Sequence, residues 1–220
     1  ALEKDSNDAL EANINKNRQL LAELEAKQKA LAAEQDRLNK LKKDLEASSA
    51  RLAELEKMMA DKEALMNKLK ETLSKSLKAF EGKGLTIENR NGKEYVSMEN
   101  KLLFESGSWT VGTEGKKAVK LVGDVLGQNP DISVLIEGHT DNDKITGTIG
   151  GGVENNWDLS TKRATAIVNI LSENKAIDKK NLTAAGRGEY MPLMSNETAE
   201  GKAKNRRIEI ILTTKLDEIS

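Results

Sequence analysis

The first 81 residues contain no glycine and no proline, and they carry a strict seven-residue stripe: Leu24, Leu31, Leu38, Leu45, Leu52, Met59, Met66, Leu73 and Phe80. Such a stretch has one economical fold, a single long helix, because nothing in it turns or breaks the chain. A second series three residues later, Leu20, Lys27, Glu34, Leu41, Ser48, Leu55, Lys62, Leu69 and Ser76, is apolar at about every second heptad. One full seam plus half of another is the pattern of a coiled coil, although it fixes no oligomer number. The stripe runs through Ser48-Ser49 without a phase break. This favours one continuous rod over a hairpin, and about 75 residues extend roughly 110 Å. A solvated single helix held by Glu–Lys pairs four apart is the alternative, but nine unbroken stripe positions would then face water. Residues 1–81 are therefore expected to self-associate as a homodimer or larger oligomer. Their role is reach, oligomerisation or docking, not chemistry.

All 16 glycines and both prolines lie after Glu81. Glu81-Gly82-Lys83-Gly84 is the natural helix stop, since glycine tolerates the left-handed conformation that ends helices. This places a domain boundary there, with a long helix over 1–81 and a compact domain over 82–220. The second part alternates strand and helix patterns. Leu85–Glu88 and Glu94–Met98 flank Asn91-Gly92, a strong hairpin turn. Leu102–Phe104 is a short apolar run. Helices are predicted over Glu114–Leu126 and Trp157–Glu173, and further strands over Ile132–Glu137, Leu182–Ala185 and Arg207–Leu212. Asn155, three residues before Asp158, suits an N-cap. The fold class is α+β: a long α-helix followed by a sandwich of helices on a small mixed sheet.

Several functions are disfavoured at once. Lys plus Arg total 35 and Asp plus Glu total 36, a net charge of -1, which argues against nucleic acid as a partner. No stretch is long and apolar enough to cross a membrane. Cysteine is absent and His139 is the one histidine, so thiol catalysis and multi-His metal sites are excluded within one chain. The chain begins at Ala1, as expected of a processed or truncated product whose targeting segment is missing.

The polar residues gather at element ends, where α/β sheets usually bind ligands. His139, Asp141 and Asp143 could share one face of an extended segment and hold a metal. The loop fails the calcium pattern, however, because Ile145 and Gly152 stand where oxygen ligands belong. His139 with Ser160, Ser106 or Ser108 could form a hydrolase pair, but no nucleophile elbow is present. Glu137 and Asp141 lie about 13 Å apart on extended chain, too wide for a glycosidase pair. Gly147 and Gly150-Gly151-Gly152 match no phosphate loop and suit a flexible connection. The chain is therefore expected not to be an enzyme and to need no cofactor.

Five stretches in fixed order then carry a resemblance: LLFESGS at 102–108, IEGHTDN at 136–142, NWDLSTKRA at 156–164, AAGRGEYMP at 184–192 and NRRIEI at 205–210. Residues 102–213 resemble the OmpA-like C-terminal domain, the peptidoglycan-binding module shared by OmpA, Pal and MotB. The NWDLS form and the glycine-rich loop before it are most similar to the MotB-like branch. The resemblance implies an OmpA-like βαβαβ-type sandwich. It also implies non-covalent binding of the peptidoglycan stem peptide, centred on meso-diaminopimelate. The family's key Asp and Arg fall on Asp141 and Arg163. An aspartate can accept hydrogen bonds from the ligand's ammonium, and an arginine fork can grip its carboxylate. A purely structural Asp141–Arg163 ion pair is the competing reading. Thr140, Asn142 and Asn156 are expected to orient the ligand. Arg206 matches the Arg of the last motif, where it lines the site or braces the sheet. Trp157 and Phe104 are expected in the core. Glu105 replaces the more usual Asp, and Gly107 an Asn found in some members, so this loop would contact ligand mainly through backbone.

The resemblance implies a periplasmic, cell-wall-anchoring envelope protein, attached to the outer membrane through a lipid-modified N-terminus that is not in this chain. The alternatives are the periplasmic part of a MotB-type motility stator, and a structural coiled-coil oligomer whose C-terminal domain does not bind.

Overall fold

The computed structural model describes residues 2–105, 108–145 and 150–215. Ser106, Gly107 and Gly147, considered above, lie outside them. Helix α1 runs unbroken over Leu2–Leu77 and ends in a short 3-10 turn at Lys78–Phe80, before the predicted glycine stop. Among the described residues no helix is long and apolar enough to cross a membrane.

The chain divides into two compact units, and the division falls between Met59 and Ala60, well before the predicted boundary at 81. The reason lies in the stripe itself. Its first six positions, Leu24 to Met59, are exposed, with Leu31 at 75% and Leu45 at 67%. Its last three, Met66, Leu73 and Phe80, are buried together with Leu69 and Leu77 in the core of the folded unit. One seven-residue repeat thus covers two different environments. The repeat alone could not separate them, because a core-facing helix and a coiled-coil seam have nearly the same period.

The folded unit is built on a five-stranded sheet in the order β1-β2-β5-β3-β4. The strands are β1 Leu85–Arg90, β2 Lys93–Glu99, β3 Ile132–His139, β4 Leu182–Gly186 and β5 Arg207–Thr214. All neighbours are antiparallel except β3 and β4, so the sheet is mixed as expected. Asn91 and Gly92 both have positive φ, 51° and 76°, the conformation a type I′ turn requires. Helices α3 (Thr113–Gly127) and α4 (Asn156–Leu171) bury Val119, Val122, Ile167 and Leu171 in one cluster with Ile132, Ile136, Ile208 and Ile210. Two short helices were not anticipated: α2 (Asn100–Leu103) and α5 (Ala199–Asn205).

Two glycines set how closely α4 approaches the sheet. A Cβ at Gly138 would stand 2.0 Å from the Ser160 carbonyl oxygen, and one at Gly186 would stand 2.1 Å from Thr161 Oγ1. The first turns of α4 therefore lie directly on the ends of β3 and β4. This brings the motifs at 136–142, 156–164 and 184–192 together.

Candidate binding site

Beyond the C-terminal end of β3, where β5 begins and α4 starts, lies a cavity of about 630 Å³. Its wall holds four basic side chains (Lys101, Lys144, Arg163, Arg206), three acidic ones (Glu105, Asp141, Asp143), and Asn100, Thr140 and Asn156. Five of the six sequence-predicted site residues meet there. The sixth, Asn142, is exposed and does not line the cavity.

Arg163 is presented by α4 two turns after Asn156 and is only 6% exposed. Its Nε donates to the Ser108 carbonyl oxygen at 3.1 Å, and its guanidinium lies 5.2 Å from the centre of the Phe104 ring. Among the described residues its two terminal nitrogens have no hydrogen-bonded partner. Burial, together with the like charge of Arg206 and against the pull of Asp141, pushes its pKa down to about 10. The group stays charged at neutral pH, but in surroundings that penalise the charge. A buried cation that faces a cavity, its terminal nitrogens unpartnered among the described residues, can receive an anion there.

Asp141 does not pair with Arg163, so the purely structural ion pair weighed from the sequence is not what forms. Its Oδ2 accepts from Arg206 Nη1, and its Oδ1 accepts from the Asp143 backbone N–H at 3.2 Å. Arg206 therefore lines the cavity and orients Asp141 at once. Asn156 ties three segments together. Its Nδ2 donates to the carbonyl oxygen of Asp143 at 3.1 Å, to that of Asp141 at 3.4 Å, and to Glu189 Oε2 at 2.5 Å. Thr140 is anchored through its backbone N–H, which donates to the Gly188 carbonyl at 2.9 Å. Its hydroxyl is buried without a partner among the described residues.

Sequence reasoning missed Asn100, which opens α2 on the cavity wall and has both amide atoms buried without partners among the described residues. It also missed α5, which closes one rim. Lys202 of α5 pairs with Asp143 at 2.6 Å, and Lys204 pairs with Glu99. Signals for α5 were present: Thr198 accepts from the Gly201 backbone N–H as an N-cap, with Glu200 in the first turn and lysines in the last. Nothing in the sequence would have singled out Asn100.

The hydrolase and metal candidates are committed elsewhere. Ser160 Oγ donates to the Trp157 carbonyl and accepts from the Gly188 backbone N–H, both at 3.0 Å. His139 does not join Asp141 and Asp143. It is buried on the sheet face away from α3 and α4, with Nε2 3.6 Å from Glu137 Oε2 and 3.7 Å from Glu209 Oε2. These three are the one group among the described residues with metal-ligand geometry. Arginines already balance the two carboxylates: Arg187 on Glu137 at 2.7 Å, Arg207 and Arg90 on Glu209 at 3.0 and 3.3 Å. The pattern is a charge-balanced brace across β3, β4 and β5, and it does not call for a cation.

This brace makes a pH prediction. The neighbouring His139 imidazole, and, against the opposing effect of burial, the Arg187 guanidinium, lower the Glu137 pKa to about 2. The unfolded chain takes up this proton near pH 4.5 and the native state only near pH 2. The stabilisation is therefore complete above about pH 5 and is lost as pH falls towards 2, on the order of 2–3 kcal/mol. Urea unfolding at pH 7, 5 and 3 should show this loss. Glu137→Gln should be less stable at pH 7 and show a shallower decline; an equally steep decline would contradict the assignment.

The structure thus defines a small α+β domain with a cavity lined by charges of both signs at one end of its sheet. Residues 103–206, a little under half of the chain, match the OmpA family. The chain is 38% identical over 117 residues to Motility protein B of Bacillus subtilis, which is 53% of this chain and 44% of that protein. A solved MotB-like protein from Desulfovibrio vulgaris has the same fold, with a TM-score of 0.64 at 21% identity, covering 71% of this chain and 99% of that one. The cell wall anchor of the T6SS from Pseudomonas aeruginosa matches with a TM-score of 0.58 at 29% identity, covering 64% and 96%. The chain spans about half the length of the curated relatives it matches.

Proposed function

We propose that the folded unit binds peptidoglycan non-covalently, at the free zwitterionic end of the diaminopimelate in the stem peptide. The carrying observation is Arg163, a buried guanidinium whose terminal nitrogens are unengaged among the described residues, on the wall of a cavity shared with Asp141. The Arg163 fork takes the ligand carboxylate in a bidentate pair. Asp141, oriented by Arg206, accepts from the ligand ammonium. Thr140 and Asn100 contribute polar groups whose unmet hydrogen bonds cost about 1–3 kcal/mol each and which ligand or water can satisfy. The match of residues 103–206 to the OmpA family and the likeness to a cell wall anchor support this reading. Asp141→Ala is expected to remove co-sedimentation of the chain with isolated sacculi while its circular dichroism is unchanged. Undiminished co-sedimentation would contradict the proposal.

The protein then serves as a wall anchor of the periplasm, attached to the outer membrane. The likeness to Motility protein B favours a second reading, the periplasmic part of a motility stator. The N-terminus of the precursor separates them: a cleavable signal ending in Cys supports the first, a transmembrane helix the second.

Self-association through the exposed stripe is part of the proposal. Leu24, Leu31, Leu38, Leu45 and Leu52 line one helix face in solvent, and fully burying one leucine contributes roughly 1.5–3 kcal/mol. Sedimentation equilibrium of the whole chain at tens of micromolar should give a dimeric or larger mass. A monomeric mass would contradict it.

A further inference from the structure

The part of α1 that precedes the folded unit leaves its apolar stripe in solvent: Leu10, Leu24, Leu31, Leu38, Leu45 and Leu52 are each more than half exposed. The stripe is not uniform. Asn17 interrupts it, and the companion series on the same face carries Lys27, Glu34 and Ser48. Polar side chains inside a coiled-coil seam are tolerated in few pairings, so they select the direction and register of a second helix. In a parallel, in-register pair each seam residue meets its own copy. Lys27 would then face Lys27, Glu34 face Glu34, Asn17 face Asn17 and Ser48 face Ser48. Those layers have no apolar side, and two of them press like charges together, at a cost. Beside the seam, Arg37 would also meet Lys42.

An antiparallel pair sets the stripe of one helix against the companion series of the other, and one register gives every layer a leucine. Leu24 covers Glu34 of the second copy, Leu31 covers Lys27, Leu10 covers Ser48, and Leu41 covers Asn17. The stems of Lys27 and Glu34 then lie on leucine while their charged ends reach water. The positions flanking the seam agree. In that register Glu23 lies across from Arg37 and Lys16 across from Asp44, and the two-fold symmetry makes each pair twice. All four side chains are exposed. A slip of one heptad in either direction sets Lys16 against Arg51 or against Arg37, so the charges oppose the neighbouring registers. The same register brings Ser6 of one copy to Leu52 of the other, which covers nearly the whole exposed stretch.

We propose that the exposed part of α1 pairs with a second copy of this chain as an antiparallel two-helix coiled coil, with Leu24 on Glu34 and Leu31 on Lys27. This rests on the self-association reading of the stripe and adds its direction and register, which decide what the pair does. The two chains leave the paired segment at opposite ends, so their folded units hold separate points of the wall and not a single one.

The chain has no cysteine, so introduced thiols report the pairing without background. Leu10→Cys and Ser48→Cys are made separately in the whole chain and equilibrated in a glutathione buffer, each alone and as an equal mixture. The mixture should give about tenfold or more disulfide-linked dimer than either variant alone. As much linked dimer from one variant alone as from the mixture would overturn the antiparallel direction. No linkage in any of the three, with a dimeric mass by sedimentation equilibrium, would overturn the register. A monomeric mass would overturn self-association itself, and the pairing with it. Charge reversal reads the flanking contacts independently. Glu23→Lys should weaken the dimer about fivefold, and adding Arg37→Glu to the same chain should restore it. Absence of that rescue would contradict the register.

Discussion

Replacing Arg163 with leucine is expected to abolish peptidoglycan binding while leaving the domain at least as stable as the wild type. Most substitutions of a buried side chain destabilise; this one should not, because the charge it removes is held in the native state at a penalty. Burial and Arg206 together bring the Arg163 pKa down to about 10, so the folded surroundings disfavour its charged form. What is lost is one hydrogen bond to the Ser108 carbonyl and the contact with Phe104; leucine retains the apolar contact with that ring. The ligand side is different. A bidentate carboxylate grip consists of two charge-assisted hydrogen bonds, each contributing about 1.5–3 kcal/mol. Their loss weakens binding by two or more orders of magnitude. Urea denaturation and sacculus co-sedimentation on the same preparation check both halves. A leucine variant that is destabilised yet still binds would mean that Arg163 is a structural residue.

The second large effect concerns the end of α1. A fragment of residues 82–220 holds every sequence motif of the domain, yet it is expected not to fold. Residues 60–81 supply Met66, Leu69, Leu73, Leu77 and Phe80 to the core, each less than a tenth exposed. At roughly 1.5–3 kcal/mol for each buried side chain, their removal costs about 7–15 kcal/mol, as much as the whole stability of an ordinary domain, about 5–15 kcal/mol. The fragment should lack a cooperative urea transition. In the full chain, Leu73→Ala alone should cost about 2–5 kcal/mol. A cooperative transition in 82–220 at the midpoint of the full chain would show that the end of α1 packs on the domain without supporting it.

The sheet was legible because its strands carry their own signals. Ile132, Val134 and Ile136 fall on one face of their strand, and Asn91-Gly92 admits little but a hairpin turn. The site was legible only through ordered motifs. No spacing along the chain reveals that Arg206 rather than Arg163 holds Asp141, because that pairing depends on β5 lying between β2 and β3. The end of α1 was misread for a physical reason: Met66, Leu73 and Phe80 continue a seven-residue repeat that serves equally well as a core-facing stripe. Trp157 was misplaced because an aromatic beside Leu159 on a helix usually points inward. Here Gly138 and Gly186 draw α4 so close to the sheet that the face carrying Ser160 lies against the strands and the indole is left outside.

The most direct test of the central claim is calorimetric titration of the whole chain with a diaminopimelate-containing stem peptide, beside the same peptide carrying lysine in that position. The two ligands differ in the carboxylate that the Arg163 fork is proposed to take. Saturable binding of the first, with the second weaker by two orders of magnitude, is the predicted result. Equal binding of both, or heat from neither, would contradict it.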